Sequence, residues 1–440
     1  MKGVIILLLG LALVCGGQAQ PRTNVREAAT GEAMPLHRAE NTVTDIMVHD
    51  IFSPPVASRV YLYANVAAYE TLVKAYPEGG YRSLYGQVQH FPELPAPREK
   101  IDGSLAAVYA FLMVGKKLLF SESILEDSLQ SVLRPYRRVS RPVYDASLRY
   151  GAMAADSIMA WADKDQYKET RKLPRYRLIQ KEGKWIPTPP AYMAAIEPYW
   201  NRIRTVTLDS CSQFRPAAPP SFSKDTGSIF YRQAYDVYVT GNQLTQDQKD
   251  IANFWDCNPF AVTMEGHLHY AVKKISPGGH WMSIVGIAAR QKKLSMLESS
   301  AVYTMASIAL FDAFIACWDE KYRSNVIRPE TYIDAYINEG WRPLLQTPPF
   351  PEYVSGHSII SQSTAVVLSG MLGDQFSFND SSEVEFGLPV RHFSSFLAAA
   401  KEAAISRFYG GIHYRAAIES GLVCGDEIGR WVLRSIKLKQ

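Results

Sequence analysis

The run VYTMASIALFDAFIACW at positions 302–318 is followed at once by Asp319-Glu320-Lys321 and then by Arg328-Pro329. Its apolar residues recur at i, i+3, i+4 and i+7, the period of an α-helix. The run is shorter than the roughly 20 apolar residues a bilayer crossing needs, and Asp312 interrupts it. It therefore reads as the core helix of a soluble helical protein.

The same period recurs outward from it in both directions. Residues 57–75, 104–119, 143–162, 229–239, 281–289, 298–318, 358–372, 392–407 and 414–433 carry helical apolar stripes, while alternating strand patterns are scarce. Helices joined by loops imply an all-α protein of bundle architecture. Residues 167–220 differ, being rich in Pro, Arg, Lys and Tyr with clear breakers at Pro187-Thr188-Pro189-Pro190. They divide an N-terminal helical half, 20–220, from a C-terminal bundle, 221–440, with 1–19 set apart as a leader. No repeat or low-complexity segment argues for a solenoid or a disordered tail.

With 47 basic and 43 acidic residues the formal charge is +4, and no basic block stands out. Neither nucleic acid nor an anionic membrane is suggested as a partner, so functional positive charge must be local. Met1-Lys2-Gly3, the apolar run Val4 to Val14 and Gly17-Gln18-Ala19 have the order of a secretory signal cleaved after Ala19, which implies export without a transmembrane helix in the mature chain. Cys15 offers a lipoprotein alternative, disfavoured by bulky Leu13-Val14. The remaining cysteines, Cys211, Cys257, Cys317 and Cys424, have no zinc-ligand spacing and read as buried small hydrophobes with one bridge at most.

Three C-terminal segments place cations or anion-binding backbone at helix boundaries. In the first, Lys321 ends the 298–318 helix and Pro329 forces Arg328 out of helical conformation. In the second, Pro351-Glu352-Tyr353-Val354-Ser355-Gly356-His357, the serine is an N-cap and the free N–H groups behind it form an anion site. In the third, Ser406-Arg407-Phe408-Tyr409-Gly410-Gly411-Ile412-His413, a helix stops at Arg407 and His413 starts the last helix. Alone, each has a bland reading as a solvated helix end, an ordinary cap or a satisfied core histidine. Together they supply the groups that hold a tetrahedral or trigonal-bipyramidal oxyanion.

Lys321…Arg328-Pro329, Ser355-Gly356-His357 and Ser406-Arg407…His413 resemble the signature shared by the vanadium-dependent haloperoxidases and the type 2 phosphatidic acid phosphatases. Val354 stands where proline is usual. Residues 252–255, Pro277-Gly278-Gly279-His280-Trp281, Trp318 and Phe350 are similar to bacterial haloperoxidases in particular. The resemblance implies vanadate as cofactor, bound axially through His413 and hydrogen-bonded by Lys321, Arg328, Ser355, Gly356 and Arg407. It implies His357 as acid and base, Lys321 as the polarising cation of a peroxovanadate, and Trp318 and Phe350 at the halide pocket. Hydrogen peroxide, halide and a small organic acceptor would be the reactants, and hypohalous acid the product.

The same residues suit an acid phosphatase in which His413 is the phosphohistidine nucleophile, or a non-catalytic oxyanion scavenger. The N-terminal half, Trp318 and Phe350 favour the haloperoxidase, and His357 disfavours the scavenger. His37, His49, His90, His267 and His269 read as structural, and His280 is assigned no role. Asp312 is either a buried partner for a site cation or a polar edge.

Overall fold

The computed structural model describes residues 32–439 except Gly266, His267 and Val272, with the side chains of 262–272 also left undescribed. The leader, Cys15 and His267 lie outside the described residues. Residues 31–440 form one compact unit.

Fourteen α-helices follow in order among the described residues. They are α1 (Met34–His49), α2 (Pro54–Ala75), α3 (Gly103–Leu118), α4 (Glu122–Leu133), α5 (Arg141–Ala162), α6 (Tyr167–Thr170) and α7 (Ile229–Asn242), then α8 (Gln246–Phe254), α9 (Pro277–Gln291), α10 (Met296–Ser324), α11 (Pro329–Tyr336), α12 (Gly356–Leu372), α13 (Phe396–Tyr409) and α14 (Arg415–Ser435). The protein is all-α, as the periodicity predicts. Two small antiparallel hairpins interrupt it, β1 (Val262–Glu265) with β2 (Leu268–Ala271) and β3 (Phe378–Asp380) with β4 (Arg391–Phe393). The second corrects the sequence reading at 392–395, where β4 and the Ser395 cap precede α13. The sequence reading also passes over α1, α4, α6, α8 and α11, although α1 carries a stripe at Leu36, Ala39, Val43, Ile46 and Met47.

Helix α10 is the axis. It starts in a capping box between Ser295 and Glu298 and ends at Asn325, whose left-handed conformation (φ 52°, ψ 46°) stops the helix. It is the one described helix long and apolar enough to cross a membrane, and its apolar window is wholly buried. Neighbours enclose it: α2 from the N-terminal part, and α9, α12 and α14 from the C-terminal part. Ile308 and Ile315 on one face and Leu310 on the opposite one are fully buried, each contributing about 1.5–3 kcal/mol.

Asp312 holds no cation. Its carboxylate accepts from Val206 N (2.8 Å), Thr207 N (2.8 Å) and Thr207 Oγ1 (2.6 Å), so it fastens the irregular 171–228 stretch to α10. Three hydrogen bonds satisfy the buried charge where the sequence left two readings open.

Glycines on α14 bring it close to α12. A Cβ at Gly421 would lie 3.0 Å from the Ser355 carbonyl oxygen, one at Gly425 2.4 Å from that of Ile359, and one at Gly429 2.6 Å from that of Ser363. Only hydrogen fits at these contacts. The result is a tight seat for the N-terminal turn of α12, reinforced by Ser355 N donating to Ala417 O (3.0 Å).

Candidate active site

The three segments converge beside the N-terminus of α12. A cavity there is lined by Trp318, Phe350, Gly356, His357, Arg407 and His413, together with Pro54 of α2, the Cys257–Phe260 loop, Pro277 and Phe314. Lys321, Arg328 and Ser355 are fully buried just outside that lining.

Ser355 caps α12 as the sequence predicts, its side chain accepting from Ser358 N. Gly356 follows, and a Cβ there would meet only Cys317 Sγ and Trp318 at 3.9 Å, ordinary contact distances. The fold itself has room for a side chain at 356. The space is available to a bound group instead.

Arg328, in extended conformation before Pro329, donates from Nε to Phe350 O (2.9 Å) and from Nη1 to Ile412 O (2.9 Å). Its Nη1 also lies 3.2 Å from His413 Nε2. A guanidinium can only donate, so Nε2 is the acceptor and the His413 proton sits on Nδ1. That proton is donated to Glu352 Oε1 at 2.8 Å, and the same oxygen accepts from Tyr414 N at 3.0 Å. Sequence reading missed Glu352. The signal available was an acidic residue in an otherwise cationic site, three residues before Ser355.

Lys321 sits one turn inside the end of α10, which extends past the expected boundary at 318. Its Nζ donates to the carbonyls of Pro351 (3.0 Å), Glu352 (3.0 Å) and Val354 (2.6 Å). All three protons thus fasten the loop before α12. The Phe350 ring lies 5.1 Å from both Lys321 Nζ and Arg328 Cζ and packs on Trp318 with centroids 5.0 Å apart. It covers two buried cations with an apolar lid while offering them its π-face.

Arg407, in the last turn of α13, donates from Nη1 to Trp255 O (2.8 Å), and Nη2 lies 4.0 Å from Asp256 Oδ1. His357 is hydrogen-bonded to the same Trp255 carbonyl. His413 precedes α14 by two residues, Tyr414 being the N-cap, so it is held by the turn rather than by the helix where the sequence reading put it.

Burial dominates the electrostatics. It lowers Lys321 to about 7 and Arg328 to about 10, and holds His357 and His413 well below the ordinary imidazole range, with Arg407 next for His357 and Arg328 next for His413. Burial likewise raises Glu352 to about 7. Cations so crowded and dehydrated favour an anion among them.

Orphaned atoms point the same way. Arg328 Nη2, Arg407 Nε and His357 Nε2 are buried without a hydrogen-bond partner, each such group costing about 1–3 kcal/mol. An oxyanion supplies acceptors for the two guanidinium groups, and its protonated oxygens a donor for a neutral imidazole. The donor set therefore fits vanadate.

A family model for the second helical-bundle domain of vanadium chloroperoxidase matches residues 301–340 and 336–439. The chain is similar to the crystal structure of a bacterial vanadium-dependent iodoperoxidase, with 46% identity and a TM-score of 0.88 over 93% of this chain and 97% of that one. It shares its fold with a bacterial vanadium-dependent chloroperoxidase in the holo form, at 16% identity and TM-score 0.63 over 87% of this chain and 93% of the other, and in the apo form, at 18% and 0.63 over 87% and 96%. No curated protein sequence matches the chain.

Proposed function

This chain belongs to the vanadium-dependent haloperoxidase family, and we propose that it binds vanadate at His413 and uses hydrogen peroxide to oxidise halide, iodide foremost, to hypohalous acid. The choice of iodide rests on the 46% identical iodoperoxidase. The observation that carries the chemistry is the tautomer of His413: Nδ1–H donates to Glu352, so the lone pair lies on Nε2, where it accepts from Arg328 Nη1 and would serve a Lewis-acidic centre once that contact is exchanged. Vanadate held there would supply Lewis acidity toward peroxide.

The side chains have separate tasks in this reading. Arg328 and Arg407 would hold oxygens of the bound group through the donors left free by their carbonyl contacts, and the Ser355–Gly356 turn would add a hydroxyl and backbone N–H groups at the positive end of α12. His357, neutral at rest with Nε2 free, takes a proton from incoming peroxide and returns one to the departing oxygen. Lys321 acts first as the fastener of the 351–354 loop and as a buried charge behind it. Its direct contact with the bound group would require releasing one carbonyl. Trp318 and Phe350 form the apolar side on which a large, weakly hydrated halide can approach.

The test is iodide oxidation by the vanadate-loaded full chain. We expect triiodide to appear with peroxide, faster than bromide turnover and far faster than chloride turnover. Protein that carries stoichiometric vanadate yet hydrolyses phosphomonoesters when stripped, with no halide oxidation, would sink this reading in favour of the phosphatase.

A further inference from the structure

Beside the wall carrying His357 and Arg407, three chemically distinct side chains meet. Cys257 follows α8, His280 lies in the first turns of α9, and Glu383 follows β3. All three are buried, at 2%, 0% and 5% exposure. Their ligand atoms are mutually close: His280 Nδ1 is 3.0 Å from Glu383 Oε1 and 3.4 Å from Cys257 Sγ, and Sγ is 3.8 Å from Oε1. A circle through three points at those separations has a radius of about 2.0 Å, the bond length of zinc to nitrogen and oxygen, and an ion slightly above its plane also satisfies the longer bond to sulfur of about 2.3 Å.

The surroundings have the form of a ligand shell. His280 Nε2 lies 2.8 Å from Asp380 Oδ2, and Asp380 Oδ1 accepts from Ser382 N (3.0 Å) and Oγ (2.6 Å). A carboxylate on the far ring nitrogen fixes the imidazole with its other nitrogen toward an ion. The ring is stacked on Trp255, with centroids 4.4 Å apart, so it cannot swing away. Linear spacing excludes the cysteines from any zinc pattern. Here the other ligands lie 23 and 126 residues from Cys257 and are brought in by folding.

We propose that Cys257, His280 and Glu383 form a second metal site, separate from the vanadate pocket, which binds one zinc-class divalent cation with Asp380 orienting His280. A thiolate, an imidazole and one carboxylate suit a borderline-soft ion and are unsuited to calcium or magnesium, which take oxygen shells. On binding, the ion displaces the thiol proton and the Nδ1 proton of an imidazolium to solvent. Two positive charges replace two, so the buried charge of the cluster is unchanged. Three protein ligands leave a fourth position for a small ligand such as water, and Cys257 also lines the active-site cavity. The ion would clamp the 256–260 loop, α9 and the 380–383 turn into one rigid wall.

The experiment uses the full chain stripped by chelator, without vanadate, and titrated with zinc or cobalt(II) against a competing chelator. We expect one ion per chain and, with cobalt(II), a near-ultraviolet thiolate-to-metal charge-transfer band. Band and stoichiometry should persist in His413→Ala, which removes the vanadate ligand, and vanish in Cys257→Ser. Glu383→Gln should weaken zinc at least 100-fold, and Asp380→Asn about 10- to 100-fold. A parent protein without the thiolate band overturns the proposal independently of any variant, leaving the cluster as a hydrogen-bonded ion network. Zinc uptake undiminished in folded Cys257→Ser overturns it as well.

Discussion

Glu352 Oε1 lies 2.8 Å from His413 Nδ1 and accepts its proton, while Arg328 Nη1 approaches the opposite ring nitrogen at 3.2 Å. Ring orientation, tautomer and lone-pair direction are thus set by residues 61 and 85 positions away. Replacing Glu352 with Gln keeps an acceptor but removes the charge, whereas Leu removes both. We expect vanadate affinity to fall about 10-fold in Glu352→Gln and about 100-fold in Glu352→Leu. Equilibrium dialysis against orthovanadate reads this directly, and unchanged affinity in Glu352→Leu would remove Glu352 from the site.

The two site histidines should fail differently. His413→Ala deletes the proposed metal bond and should lose vanadate at concentrations that saturate the parent. His357→Ala leaves the arginines, Ser355 and Gly356 in place, so it should retain vanadate while iodide oxidation drops by a factor on the order of 10² to 10⁴. Retained vanadium in both variants would show that His413 is not the ligand.

Gly425 tests whether helix packing tunes the site. A Cβ there would lie 2.4 Å from the Ile359 carbonyl oxygen and 2.9 Å from Gln362 Cβ. Gly425→Ala must push α14 from α12, at a cost of about 1–3 kcal/mol. Because Ser355 and Gly356 ride on the same end of α12, vanadate affinity should fall together with the melting temperature. A variant as stable as the parent would mean that the two helices separate without strain.

Glu40 on α1 gives the fold a pH dependence remote from the site. It is buried, and burial raises it to about 8 from 4.5 against a smaller opposing effect of the Asn65 side chain. The folded chain therefore holds this proton where the unfolded chain has already released it. The contribution of Glu40 to stability is greatest below about 4.5 and declines until about pH 8, by an amount on the order of 5 kcal/mol at about 1.4 kcal/mol per pH unit. Glu40→Gln, which cannot ionise, should match the parent at pH 5 and melt higher at pH 8. Equal melting temperatures at pH 8 would show that the ionised carboxylate is accommodated without cost.

What the sequence determined by itself was the helical class, most helix spans and the oxyanion inventory. Those are local matters: a 3.6-residue period, the Ser355 cap, Pro329 after Arg328, and cations at helix ends each act within a few residues. The tertiary structure decided which polar group meets which. Glu352 became the partner of His413, Lys321 gave its three protons to backbone carbonyls, and Asp312 went to the 206–207 backbone instead of a site cation. Cys257, His280 and Glu383, unrelated in spacing, came within bonding reach of one point. Such pairings follow from how α9, α10, α12 and α14 pack, and buried polar groups take whichever partner that packing brings, since an unpaired one is too costly to leave.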